Sequence, residues 1–128
     1  MGREVSAKCL DCGSTFTVEH GGGCRFHLVR CDKCGATKSI AFKDLGELHL
    51  RYVKGLPEPY CIASAKEDER IQADTTLEPL SEHDYHNGVE AYAGKCRCGG
   101  PFTLDAAPRC PQCHSTHIEE GETTIMYD

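Results

Sequence analysis

The chain has 128 residues, a formal net charge of −6 and a hydrophobic fraction of 39%. No stretch approaches the ~20 apolar residues of a membrane-spanning helix, and the acidic balance argues against tight non-specific binding of nucleic acid, which depends on neutralised phosphates. With no Trp, four Phe and five Tyr, the apolar supply is thin for one large core. The ten cysteines predict that cross-links through metal ions compensate for the small amount of apolar surface that the chain can bury.

The first region, residues 1–43, carries seven Lys/Arg against four Asp/Glu. Polar and apolar side chains alternate over residues 15–19, which is typical of a strand. The three glycines at 21–23 predict a turn, residues 25–30 a returning strand and residues 37–42 a third short strand. We therefore expect a small β-hairpin unit of three strands in this region.

The middle region, residues 44–94, is acidic, with four Lys/Arg against eleven Asp/Glu. Its periodicity predicts a helix over residues 45–54 and another over residues 82–93, the second preceded by a serine that can cap it. Between the helices we expect a short strand at 60–63 and a polar loop over 64–79. This region is predicted to be a connecting segment with one or two short helices.

The last region, residues 95–128, repeats the features of the first. Alternating residues around 102–104 predict one strand. Two further strands are expected at 117–120 and 123–127, with a glycine between them.

Eight of the ten cysteines form two sets of closely spaced pairs, one set in each terminal region. Each set offers four thiols, the ligand set of a structural zinc site. The expected metal ligands are Cys9, Cys12, Cys31 and Cys34 in the first set, and Cys96, Cys98, Cys110 and Cys113 in the second. No apolar leader follows the first methionine, so we expect a cytoplasmic, reducing location, where paired thiols are more often metal ligands than disulfides.

The first set resembles the zinc-ribbon family, in which rubredoxin-like Cys-x-x-Cys-Gly knuckles clamp one metal ion. Residues 9–13, Cys-Leu-Asp-Cys-Gly, and residues 31–35, Cys-Asp-Lys-Cys-Gly, match this pattern residue for residue. The second set is similar but has one residue instead of two in its first pair, and His114 stands where glycine is usual. His114 tolerates the required positive φ better than most residues, while His114 or His117 could also replace a thiol as ligand.

The resemblance implies a small, metal-stabilised, mainly β fold. Two zinc ribbons, at 1–43 and 95–128, would be joined by the connecting segment 44–94, with two zinc ions per chain. A ribbon is a scaffold and does not imply a function by itself. A site of four thiolates leaves no open coordination position for water or substrate, so both sites favour a structural role.

Four residues outside these sets have open roles: Cys24, Cys61, His83 and His86. For Cys24 a half-buried thiol is favoured over a metal site with His20 and His27. A disulfide between the two remaining cysteines requires an oxidising environment. The two histidines of the predicted second helix favour a solvated face over a metal or acid–base site.

No catalytic constellation is visible, since the glycine run lacks the Lys-Ser/Thr of a phosphate loop and no His-Glu-x-x-His motif is present. We expect a non-catalytic, zinc-binding adaptor or accessory protein that acts through protein–protein contacts, including as a small subunit of a larger enzyme complex. One alternative is an electron carrier with iron, similar to rubredoxin. The other is a nucleic-acid-associated regulator that uses basic and aromatic residues of the first region: Lys8, Arg25, Arg30, Lys33, Lys38, Lys43, Phe16 and Phe26.

Overall fold

The computed structural model describes residues 2–127, which form two three-stranded antiparallel sheets and four α-helices. The strands are β1 (Gly2–Cys9), β2 (Thr15–His20), β3 (Phe26–Cys31), β4 (Thr37–Ala41), β5 (Phe102–Thr103) and β6 (Ile118–Tyr127). The helices are α1 (Phe42–Leu45), α2 (Glu47–Lys54), α3 (Ala65–Ala73) and α4 (Glu82–Ala93), with a 3-10 helix at Ile62–Ser64 before α3.

Both sheets combine strands from the two ends of the chain. One sheet has the strand order β2-β1-β6 and the other the order β4-β3-β5. The sequence predicts a separate ribbon in each terminal region, 1–43 and 95–128, whereas the structure pairs β6 with β1 and β5 with β3. Pairing between distant segments leaves no trace in the local alternation of side chains, so one sequence does not reveal it.

The strands predicted within the first region are present as β2, β3 and β4, and β5 lies at the predicted strand near residue 102. The predicted hairpin unit of three strands is wrong, because β2 and β3 belong to different sheets and do not pair with each other. β1 was not expected. β6 is one continuous strand instead of the two predicted at 117–120 and 123–127. Gly121 does not end it, because the β1–β6 ladder absorbs register shifts on both sides of Val5, as a β-bulge does.

The larger core lies between the sheet β4-β3-β5 and helix α4. Tyr85, Val89 and Ala93 face this core because residues four apart lie on one side of a helix. The predicted helix at 82–93 is confirmed, and the Ser81 hydroxyl caps it by accepting a hydrogen bond from the Asp84 amide at 3.1 Å. The buried residues of this core are Val29, Cys31, Ile40, Leu45, Tyr85, Val89, Ala93 and Phe102.

A second, smaller core lies on the sheet β2-β1-β6. It consists of Val5, Ala7 and Val18, with Phe16 and Ile118 partly buried against them. Because the hydrophobic stabilisation scales with the apolar area removed from water, so small a cluster contributes little. The division into two modest cores agrees with the thin apolar supply of the sequence.

The connecting region departs furthest from the prediction. The helix predicted at 45–54 corresponds to α2, which begins two residues later, after Gly46 with its φ of 57°. The short helix α1, which precedes Gly46, was not predicted. The loop predicted at 64–79 contains α3, and the strand predicted at 60–63 is replaced by an extended residue and the start of the 3-10 helix.

Polar contacts hold α3 in place, which explains why hydrophobic periodicity did not reveal it. The carboxylate of Asp68, only 4% exposed, accepts hydrogen bonds from the Tyr60 amide at 2.9 Å and the Ser64 hydroxyl at 2.7 Å. The Gln72 side-chain amide donates to the Val53 carbonyl of α2 at 3.2 Å. Buried polar groups that are fully paired can fix a helix with little apolar surface.

A buried tyrosine hydroxyl lies between two histidine rings in the larger core. Tyr85 is fully buried, and its hydroxyl lies 2.7 Å from His27 Nε2 and 3.0 Å from His49 Nδ1. One hydroxyl proton can serve only one of these nitrogens, so the other ring must donate its own N–H. Burial, followed by the charges of His49 and His86, lowers the pKa of His27 to about 4, and burial also lowers the pKa of His49.

The buried His27 ring predicts a loss of stability in mild acid. The unfolded chain binds a proton at its histidine near pH 6.5 while the folded ring stays neutral to about pH 4, so stability falls as the pH drops through that window. Between pH 7 and 5.5 we expect a contribution of about 1 kcal/mol to the free energy of unfolding, discounted for the partial exposure of the ring. Urea unfolding of the wild type and His27→Gln at both pH values measures it.

The exposed helix residue His83 offers the matched control. His83→Gln should keep the pH dependence of the wild type, whereas His27→Gln should lose about 1 kcal/mol of it. An equal pH dependence in all three proteins would contradict the role assigned to the buried ring.

Candidate metal centres

The eight predicted ligand cysteines meet in two clusters of four sulfurs. The first centre is Cys9, Cys12, Cys110 and Cys113, and the second is Cys31, Cys34, Cys96 and Cys98. Within each centre all four sulfur atoms lie within 4.8 Å of one another. The predicted ligands are thus brought together, but each centre combines one pair from each end of the chain.

The sequential grouping, with Cys9, Cys12, Cys31 and Cys34 at one metal, is therefore wrong. The reason is the strand pairing. Cys9 ends β1 opposite Ile118 of β6. The knuckle at residues 110–113, which precedes β6, therefore lies beside the knuckle that begins at Cys9. Likewise Cys31 ends β3 opposite Phe102 of β5, beside the short knuckle that precedes β5.

The sulfur separations suit a metal ion and exclude disulfide bonds in these centres. In the first centre Cys9 and Cys113 are 3.5 Å apart and Cys12 and Cys110 are 3.6 Å apart. In the second centre the cross-knuckle separations are 3.4 and 3.6 Å. A disulfide bond is about 2.05 Å long, whereas tetrahedral ligands at ~2.3 Å from zinc lie about 3.8 Å apart. Both clusters could hold a four-coordinate metal ion.

All four knuckles share one backbone turn. The residue after the second cysteine has a positive φ in each case: 79° at Gly13, 81° at Gly35, 87° at Gly99 and 63° at His114. The amide of that residue donates to the carbonyl of the first cysteine at 2.9 to 3.0 Å. The one-residue spacer in the Cys96 knuckle keeps this hydrogen bond, so the shorter turn still aims two sulfurs at one point. The expectation that His114 adopts the glycine conformation is confirmed.

Neither histidine of the last region belongs to a sulfur cluster. His117 Nδ1 lies 3.3 Å from an Asp11 carboxylate oxygen, and the Ser115 hydroxyl donates to the other oxygen. Hydrogen bonding by Ser115 and then by His117 lowers the pKa of Asp11. These contacts join the knuckle at residues 9–13 to the one that precedes β6. The thiols, not the histidines, make up both centres.

The electrostatics of the clusters favour a bound cation. Hydrogen bonding with the Ser14 hydroxyl, 3.2 Å away, lowers the pKa of Cys12 to about 6. For Cys113 the Ser115 amide favours the thiolate, but the neighbouring cysteine sulfurs raise its pKa to about 12. Four thiols this close together cannot all be deprotonated without a counter-charge, because the thiolates repel one another. A metal ion would remove this repulsion, since it binds the thiolate form.

Backbone amides support the buried sulfurs. Burial raises the pKa of Cys31, yet the amides of Cys34 and Lys33, each 3.4 Å from its sulfur, lower it to about 6. The Gln112 amide lies at the same distance from Cys110 Sγ. Such N–H donors orient the ligands and spread the negative charge of a metal–thiolate cluster.

One side chain joins the two centres. Arg109 precedes Cys110, and its Nε donates to the Asp32 carbonyl of the second centre at 3.0 Å. Its Nη1 donates to the His114 carbonyl of the first centre at 2.9 Å. Gly35 leaves room for this side chain, since a Cβ there would lie 2.8 Å from Arg109 Cβ. The sequence offered no signal for this bridge.

The other candidate residues lie away from the sulfur clusters. His83 contacts the Asn87 side chain at 3.3 Å and His86 lies 3.8 Å from Glu82, all on α4. These pairs are those of a solvated helix face. The histidines considered as partners of Cys24 are engaged elsewhere, His20 with Glu120 and His27 with Tyr85.

Several basic residues considered for nucleic-acid binding make internal contacts. Arg30 donates to the Glu19 and Ala106 carbonyls. Lys33 donates to the Cys98 carbonyl at 3.4 Å, and Lys38 donates to the Ala93 carbonyl at 3.1 Å. The two phenylalanines are also engaged, Phe16 against the smaller core and Phe26 stacked on Tyr127. Binding of nucleic acid through this region stays a prediction.

A family model described as a domain of unknown function (DUF8255) matches residues 5–119. The chain belongs to this family. The match includes all eight cysteines of the two centres. Comparisons with curated proteins and with solved structures found no match. Among the residues that the structure describes in this DUF8255 chain, no helix is long and apolar enough to cross a membrane.

Paired substitutions test how the ligands are grouped. Cys12→Ser with Cys113→Ser removes two ligands from one centre, so we expect one of two metal ions to be lost. Cys12→Ser with Cys34→Ser removes one ligand from each centre, so both ions should be lost or greatly weakened, since apparent structural-site affinities of about 10–16 kcal/mol depend on the full ligand set. Elemental analysis of purified protein measures metal per chain. If Cys12→Ser with Cys34→Ser lost only one ion while Cys12→Ser with Cys113→Ser lost both, the sequential grouping of the ligands would be correct.

Gly100 supports the second centre through close backbone approach. A Cβ at this position would lie 2.7 Å from Cys31 Sγ, so Gly100→Ala should displace the sulfur and weaken metal binding at this centre by about 10-fold or more. Competition with a chromophoric chelator measures the affinity. Gly46→Ala is the control: its Cβ would meet no atom within 4 Å, it also strains a positive φ by about 1–2 kcal/mol, and it lies outside the knuckles, so its metal affinity should match that of the wild type. Equal affinities for Gly100→Ala and the wild type would refute the steric role.

Proposed function

We propose that this protein is a non-catalytic module held together by two structural zinc ions, and that it acts through protein–protein contacts as an adaptor or accessory subunit of a larger complex. The observation that supports the interaction role best is the exposed edge strand β6. The closed sulfur clusters support the structural role of the metal.

Zinc is the metal that the ligand set favours. Four thiolates in a roughly tetrahedral cluster are typical of structural zinc and of iron–sulfur proteins. Two such centres in a chain with small cores match the use of zinc as a folding cross-link. All four positions around each ion are taken by sulfur, so neither ion has a place for a water molecule or a substrate.

Strand β6 leaves one edge without a neighbouring strand. It lies at the end of the sheet β2-β1-β6, and its only strand partner among residues 2–127 is β1. Its residues are exposed along most of their length. Such an edge presents unpaired N–H and C=O groups that can pair with an extended segment of another chain.

The side chains of β6 define the chemistry of the partner. Ile125 is 55% exposed and Met126 is 78% exposed, so the end of the strand offers apolar contact. Glu119 and Glu122 are also exposed on this strand, and the chain carries a net charge of −6. A partner segment that is extended, basic and partly apolar complements this edge. Docking in this way adds a strand to the sheet and requires no change in the metal centres.

Purification from the native host tests this function. We expect the wild type to migrate in a complex, and Ile125→Ser with Met126→Ser to weaken binding of the partner by about 100-fold or more, since burying each of the two apolar side chains contributes about 1.5–3 kcal/mol. Thr123→Ser on the same strand is the matched control and should keep the partner.

Size-exclusion chromatography and quantitative mass spectrometry give the readout, and elemental analysis of the same preparation identifies the metal. Recovery of the wild type solely as a free monomer would argue against the adaptor role. An iron content with visible absorption would argue for the electron carrier instead.

A further inference from the structure

The two cysteines outside the metal centres lie together. Cys24 is in the turn between β2 and β3, and Cys61 directly precedes the 3-10 helix at Ile62–Ser64. Cys24 and Ser64 line the same cleft, and the Ser64 hydroxyl lies 3.4 Å from Cys61 Sγ. Cys24 is also one of the groups that lower the pKa of Cys61. Both side chains are partly exposed. The fold therefore places two thiols from distant parts of the sequence close together, apart from the eight that form the centres.

We propose that Cys24 and Cys61 form a redox-active dithiol site, which small-molecule disulfides such as oxidised glutathione convert into an intrachain disulfide while both metal centres stay intact. None of its groups belongs to either sulfur cluster or to β6, but its test rests on the proposed zinc-bound state, in which the eight cluster thiols are ligands. Peptide mapping of the Cys24–Cys61 link and elemental analysis of the metal separate a failure of one proposal from a failure of the other.

Cys61 is the better nucleophile of the pair. Its sulfur lies 3.4 Å from the Ser64 hydroxyl. Burial raises the pKa of this thiol, but the hydrogen bonds from Cys24, from the Ser64 hydroxyl and from the amides of Ser64 and Ala63 together lower it. A thiolate stabilised by several donors, and still reachable from solvent, is the reactive form of cysteine.

A cleft gives reagents access to this site. Cys24 lines an open cleft of about 680 Å³ between the turn before β3 and the helices α1, α2 and α3. Arg25 and Lys43 stand on its wall, with the rings of Phe42 and Tyr60. Glu67 and Asp68 also line the cleft, so its charges are mixed, and the cleft supplies access rather than a preference for an anionic oxidant. The thiols of the metal centres differ because, in the zinc-bound protein that we propose, each of them is a ligand of an ion.

The oxidation balances as two thiol–disulfide exchanges. The Cys61 thiolate attacks one sulfur of oxidised glutathione, which forms a mixed disulfide and releases one glutathione thiolate. The Cys24 thiol loses its proton to solvent, and its thiolate then attacks the Cys61 sulfur and releases the second glutathione. The chain loses two hydrogens, and the oxidant gains them as two reduced thiols.

The disulfide would tie the turn before β3 to the start of the 3-10 helix and α3. In the reduced protein α3 is held largely by hydrogen bonds, such as those of Asp68 and Gln72. A covalent link that closes a loop removes conformations from the unfolded chain and stabilises the segment that it spans. Oxidation is thus expected to slow local opening of α3 and narrow the adjoining cleft.

Treatment of the metal-loaded protein with oxidised glutathione tests the proposal. We expect loss of two hydrogens in the intact mass, a Cys24–Cys61 linked peptide after digestion without reductant, full retention of metal and reversal by dithiothreitol. Cys24→Ser should stop at a mixed disulfide on Cys61, because the resolving thiol is gone. Cys61→Ser should react roughly tenfold more slowly, because the thiolate beside the Ser64 hydroxyl is gone.

Circular dichroism and metal content show that each serine variant is folded before it is tested. Three results would overturn the proposal: oxidation that begins at the metal ligands with release of metal, mixed disulfides that never resolve in the wild type, or no reaction of either cysteine. Each of these outcomes is distinguishable by peptide mapping and elemental analysis of one sample.

Discussion

The cross-linking of distant chain segments by clustered thiolates is the constraint on which this fold depends. Each centre joins a knuckle from the first part of the chain to a knuckle from the last. A structural zinc ion contributes about 10–16 kcal/mol in apparent binding, while whole domains are stable by only about 5–15 kcal/mol. Both apolar cores are small. In the zinc-bound protein that we propose, metal binding and folding would therefore be one equilibrium.

The ligand cysteines were predictable because their signal is local. The close spacing of the paired cysteines and the glycines with positive φ lie within short windows of sequence, and the structure places each knuckle turn as expected. The hairpin predicted between the first two pairs is not formed, because β2 and β3 pair with other strands. The grouping of the pairs was not predictable, since it depends on β1 meeting β6. Residues 5–9 do alternate apolar and polar side chains, which is a strand signal although no strand was predicted there, and the glycine in β6 suggested a break that a bulge removes.

Helix prediction succeeded where the apolar pattern was clear and failed where polar contacts dominate. α4 presents Tyr85, Val89 and Ala93 to the core, so its period shows in the sequence. α3 is held by the buried Asp68 and by side-chain hydrogen bonds. Such polar contacts produce no periodic pattern of apolar residues in the sequence. Arg109 is a similar case: its two carbonyl contacts link the metal centres, yet an arginine beside a cysteine carries no such signal in one sequence.

The interleaved ligand sets have a consequence for how the polypeptide is made. Synthesis runs from the amino end, so the early knuckles leave the ribosome long before their partners exist. The second centre cannot close before Cys98 has emerged, nor the first before Cys113, and contacts so distant in sequence form slowly. Until then the nascent chain carries the four thiols of the early knuckles without their partners. In the zinc-bound protein that we propose, each ion would be captured only after the later knuckle of its centre has been synthesised.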